Sequence, residues 1–238
     1  MHPIERLRAV AQAREVDQAL LAREAASVLG SFAGDLPGLV TSCRRLIDRH
    51  PTAGSLWWTC ARLLAAGDVR AEAIAIADDL STEPATTMLS LDLPDDAVVA
   101  VVPDVAGGSE LAYELNGWRD DVVVAHDPGA LHADRDEPRV LLVEAGAAGP
   151  DRFVAPAGTA DEIAAARDAG VAVWLVIDVG RRLPPGLFDV VVARAARAPL
   201  DVWSSPVEVV AIAEAARVVE PRRIDCPVPP ELLRPPAG

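Results

Sequence analysis

Residues Arg139 to Asp189 read RVLLVEAGAAGPDRFVAPAGTADEIAAARDAGVAVWLVIDVGRRLPPGLFD, and this stretch decides the fold. The uninterrupted apolar run at residues 140–143 is what a strand buried on both faces requires. A glycine-rich loop follows, Gly158 and Thr159 open a helix, and a second apolar run covers residues 171–177. Strand, loop, helix and strand in that order make a crossover unit of a parallel sheet. Such a unit presents a loop and a helix N-terminus at the sheet's carboxyl edge, where α/β proteins bind small anionic ligands.

The alternation continues outward from this unit. Further strand-length apolar runs lie at residues 98–102, 122–125 and 190–193, and helical patterns at 109–115, 160–169 and 206–219. The expectation is an α/β fold with a mostly parallel sheet and flanking helices. Residues 88–91 also have strand character, but too few residues separate them from Val98 for a parallel crossover. They are expected to be irregular or paired antiparallel. Before residue 82 the pattern is helical: Ile4, Leu7, Val10, Val16, Leu20, Leu21 and Val28 recur at helical spacing until Gly30 and Gly34 interrupt. Three more helices are expected over residues 39–49, 53–66 and 69–80. The chain thus divides into a helical domain, 1–82, and a Rossmann-like α/β domain, 83–238, ending in a proline-rich, extended tail.

Composition narrows the chemistry. About half of the 238 residues are apolar but only nine are aromatic, so the core must be built from Ala, Val, Leu and Ile. All 22 basic residues are arginine. The missing lysine excludes a P-loop lysine, a Schiff base and a lysine general base. A net charge of −14 argues against nucleic acid as a partner, because phosphate affinity needs surplus positive charge. Charges interrupt residues 1–30, and no apolar run is long enough to span a bilayer, so a cytoplasmic protein with no membrane partner is expected. Cys43, Cys60 and Cys226 are scattered and odd in number, which fits reduced thiols better than disulfides. Neither a metal nor a cofactor is expected.

Several positions carry candidate chemistry. Gly158 and Thr159, with Asp161 and Glu162 behind them, read either as an ordinary capped helix or as an anion site of backbone N–H groups. Gly107, Gly108 and Ser109 follow the 98–102 strand and open another helix, as a tight turn or a phosphate cradle; the third glycine of the dinucleotide fingerprint is absent. Glu144 ends a central strand, placed to act as a general base or to order the adjoining loop. Asp127, next to His126, is a second candidate base, and His132, Asp134 and Asp136 follow without a recognisable metal-ligand spacing. Arg181 lies just beyond the 171–177 strand, suited to a phosphate or carboxylate, or to a solvated turn.

Three stretches together carry a family resemblance. His50-Pro51-Thr52-Ala53-Gly54-Ser55-Leu56 is similar to an Arg-Pro-Thr-Ala/Ser-Val-x-Leu motif at a helix start. Val140 to Thr159 is similar to a strand, an Asn-Gly loop and an Asn-Lys-Ile-Gly-Thr stretch, followed by an alanine-rich helix and a further strand. Ile224 to Leu233 is similar to a closing Phe-Asp-x-Thr-Pro-Pro-Glu-Leu-Ile. In that order they resemble the alpha, beta and delta subunits of translation initiation factor 2B. The enzyme relatives of those subunits are methylthioribose-1-phosphate isomerase and ribose-1,5-bisphosphate isomerase. The resemblance implies the NagB/RpiA/CoA-transferase-like layout, a phosphorylated sugar or nucleotide-like ligand, and a homodimer formed through the C-terminal domain.

The departures bear on activity. Ala155-Pro156 replaces the family's Asn-Lys pair, the isomerases' catalytic Asp falls at or beside Ala145, and Ser90 is the nearest register for their catalytic Cys. A βα segment is missing around residues 91–97. A non-catalytic or divergent ligand-binding protein is therefore expected, its site drawing on Gly107, Gly108, Ser109, Gly158, Thr159 and Arg181. The rival is a sugar-phosphate isomerase with Glu144, or less suitably Asp127, as base. A third reading, a protein-interaction module, needs Trp57 and Trp58 exposed together on the N-terminal helices.

Overall fold

The computed structural model describes residues 3–13, 16–82, 85–104, 110–125, 131, 137–196, 206–221 and 223–233. Five helices lead: α1 (Pro3–Gln12), α2 (Gln18–Leu29), α3 (Leu36–Arg49), α4 (Gly54–Ala65) and α5 (Val69–Asp79). Aspartates set three of their starts. Asp17 accepts from the amides of Ala19 and Leu20, Asp35 from that of Gly38, and Asp68 from those of Arg70 and Ala71. Each satisfies N–H groups that a helix leaves unpaired at its first turn. The Asp17 cap also divides the 4–28 pattern into two helices where the apolar spacing suggests one.

Next come α6 (Ala85–Asp92), β1 (Val98–Val102), α7 (Glu110–Trp118), β2 (Val123–Ala125) and β3 (Arg139–Glu144). They are followed by β4 (Ala147–Ala148), β5 (Arg152–Pro156), α8 (Thr159–Asp168), β6 (Ala172–Val176) and α9 (Pro185–Ala195). β7 (Val207–Ala211), β8 (Arg217–Val219) and a short α10 (Pro230–Leu233) are the last elements among the described residues. Five strands form one parallel sheet in the order β2-β1-β3-β6-β8. A second, antiparallel sheet runs β4-β5-β7. The glycine-rich loop of the sequence is thus largely a hairpin.

Three expectations are corrected. Residues 88–91 lie in a helix, α6, which buries Leu89 against α7 and the sheet. The 190–193 run is helical: α9 buries Leu187, Phe188 and Val191 on one face, and that packing outweighs the strand preference of consecutive valines. The 206–219 segment is not a helix. Its Val207–Ala211 portion pairs antiparallel with β5, from Arg152↔Ala211 to Pro156↔Val207, and a 3-10 turn leads to β8.

The parallel sheet is covered on both faces. Leu141, Val143, Val173 and Leu175 pack on Ile163 and Ala166 of α8; Val140, Leu142, Trp174 and Val176 pack on the side of α6 and α7. A third core joins the N-terminal helices to α9 and to Ala147 and Val154 of the small sheet. Trp57 and Trp58 are both fully buried there. That removes the exposed tryptophan patch on which the interaction-module reading depended. Among the described residues no helix is long and apolar enough to cross a membrane.

Candidate functional site

The order β2-β1-β3-β6-β8 has its switch point between β1 and β3. The connection leaving β1 runs through α7 to β2 on one side, while the chain after β3 runs through α8 to β6 on the other. The crevice between diverging connections, at the carboxyl ends of the strands, is where open α/β sheets hold ligands. Glu144 is the last residue of β3, Asp104 lies just past β1, and Asp178 and Arg181 follow β6.

These residues converge on one guanidinium. The Arg181 side chain is only 3 % exposed; its Nη1 lies 3.2 Å from Asp104 and 3.6 Å from Glu144, and its Nη2 3.7 Å from Asp17. Nη1 also donates to the Ala145 carbonyl at 3.1 Å. Burial alone would lower the pKa of Arg181, but the charges of Asp104, Glu144, Asp178 and Asp17 outweigh it and hold the group above its ordinary value. Gln18, 1 % exposed, extends the network by donating to Asp104 (2.7 Å) and to the Gly146 carbonyl (3.1 Å). The start of α4 seals it from below. The Gly54 amide donates to Gly146 at 2.9 Å, and a Cβ on Gly54 would stand 2.9 Å from that carbonyl oxygen and 3.0 Å from the Arg181 Cα. Glycine is needed there for close approach.

Above this network lies a cavity of about 210 Å³. Its wall includes Asp17 and Arg23 of the α2 region, Thr86 of α6, Glu114 of α7, and Glu144, Asp178 and Arg181 from the sheet edge. Arg23 reaches the Ser81 hydroxyl at 3.2 Å. Asp178 accepts from the amides of Ala85 (3.2 Å) and Val179 (2.7 Å). The hydroxyl of Thr86, a residue 5 % exposed, is buried and has no hydrogen-bond partner among the described residues.

Of the candidates read from sequence, Glu144 and Arg181 therefore meet in one site. Gly158 and Thr159 lie elsewhere: the Thr159 hydroxyl donates to the Pro156 carbonyl at 2.7 Å, and the Ala160 amide at the start of α8 donates to Glu208 at 2.7 Å. Neither residue lines the cavity. Gly107, Gly108, Ser109 and Asp127 lie outside the described residues, as do His126, His132, Asp134 and Asp136. Asp104, Gln18, Asp178 and Thr86 are additions made by the structure. Asp104 and Asp178 are the two with a sequence signal, each an acid shortly after an apolar strand.

No protein-family model matches the chain, and no curated protein matches it in sequence. Solved structures do match. Translation initiation factor eIF-2B from Pyrococcus horikoshii OT3 shares 13% identity, with 91% of this chain and 94% of that one covered, at a TM-score of 0.66. The tetrameric eIF2B beta2-delta2 complex from C. thermophilum shares 12% identity over 92% and 89% of the two chains, at 0.63. The 5-methylthioribose 1-phosphate isomerase of Pyrococcus horikoshii OT3 shares 13% identity over 97% and 85%, at 0.58. Across nearly its whole length, the chain has the fold common to these initiation factor 2B subunits and to methylthioribose-phosphate isomerase.

Proposed function

We propose that this chain is a non-catalytic, initiation-factor-2B-like protein that binds a phosphorylated sugar or a similarly small nucleotide-like molecule at the carboxyl edge of its sheet. One observation carries the reading: the switch-point crevice ends in an open cavity whose innermost acid, Glu144, faces the buried Arg181 at 3.6 Å. That carboxylate is engaged as a counter-charge to the buried guanidinium, a structural role that supports the non-catalytic reading. The cavity wall supplies acceptors for sugar hydroxyls in Asp178 and Glu144, and Arg23 offers a guanidinium for a phosphate. A single phosphate suits it better than a polyphosphate, because carboxylates outnumber guanidinium groups along the wall. Self-association is proposed with it; one protein of this fold is described as a tetrameric complex.

The test is a thermal-shift series on the full chain with pentose and hexose phosphates and nucleoside monophosphates, paired with an assay for aldose–ketose interconversion. Stabilisation by a sugar phosphate without turnover is the expected result. No stabilisation by any of these compounds overturns the ligand class. Turnover that disappears in Glu144→Gln would establish the isomerase instead, a reading favoured only by the presence of Glu144 on the cavity wall.

A further inference from the structure

We draw no further inference here: the strongest candidate, the pair of thiols from Cys43 of α3 and Cys60 of α4 in the helical core, where the Cys60 Sγ lies 4.0 Å from the Cys43 carbonyl oxygen, carries nothing, because both residues are fully buried and a thiol closed off from solvent is inert toward oxidants and metal ions.

Discussion

The β1/β3 edge and the N-terminus of α8 look alike in sequence. Each follows a strand, each includes glycine, and each opens a helix toward the carboxyl side of a sheet. In the structure they have opposite character. At α8, Gly158 adopts a left-handed turn (φ 96°), Thr159 donates to Pro156, and the helix N-terminus is met by Glu208. An anion from the same chain already occupies the position a ligand anion would take. At the β1/β3 edge, acids outnumber guanidinium groups, a buried hydroxyl lacks a partner among the described residues, and a cavity remains. A candidate binding site is thus marked less by a favourable motif than by polar groups left unsatisfied among the described residues.

The largest test of that comparison is Arg181→Met. The variant keeps most of the side-chain volume but removes the guanidinium from between Asp104 and Glu144, whose side chains are 1 % and 7 % exposed. Breaking a buried ion pair by removing one partner costs about 3–5 kcal/mol, since the remaining charge stays buried. Urea unfolding at neutral pH should show a loss of that size, largely recovered at acid pH where the carboxylates are protonated. Wild-type stability would mean that Arg181 is not the counter-charge, and the contrast with α8 would collapse.

Gly54→Ala probes the same edge from beneath. The added methyl meets only backbone, at Gly146, Arg181 and Ala147, so nothing flexible can move aside. A loss of about 1–3 kcal/mol is expected in thermal unfolding, the usual range for overpacking. Weaker sugar-phosphate binding should accompany it, because Arg181 and Gly146 shift with the α4 start. Lost stability with unchanged affinity would separate the network from the cavity and sharpen the comparison to the wall alone.

What was legible in the sequence follows from how local each signal is. The strands at 98–102 and 139–144 could be read because a parallel strand covered on both faces must be continuously apolar. Glu144 and Arg181 are legible as candidates because the first ends such a strand and the second lies in the loop after one. The 190–193 run and the 206–219 segment were misread because their state is set by distant partners: α9 packs on the N-terminal helices, and Val207–Ala211 pairs with β5. The Gln18–Asp104 hydrogen bond joins residues 86 positions apart, and no spacing along the chain encodes it. The unpartnered Thr86 is likewise a property of packing, since a threonine in the first turn of a helix ordinarily suggests nothing more than a cap.

The smallest expected effect is at the opposite pole. Glu208→Gln keeps an acceptor for the Ala160 amide but removes the charge facing the α8 N-terminus. A helix-dipole interaction at a partly exposed end is worth roughly 0.3–1 kcal/mol and is screened by salt. The loss in stability should lie in that range at low ionic strength and shrink as salt is added. Sugar-phosphate affinity should not change, because neither Glu208 nor the start of α8 lines the cavity. Phosphate binding that strengthens in this variant would show that Glu208 had been masking an anion site. The two regions would then differ only in which one the chain keeps closed.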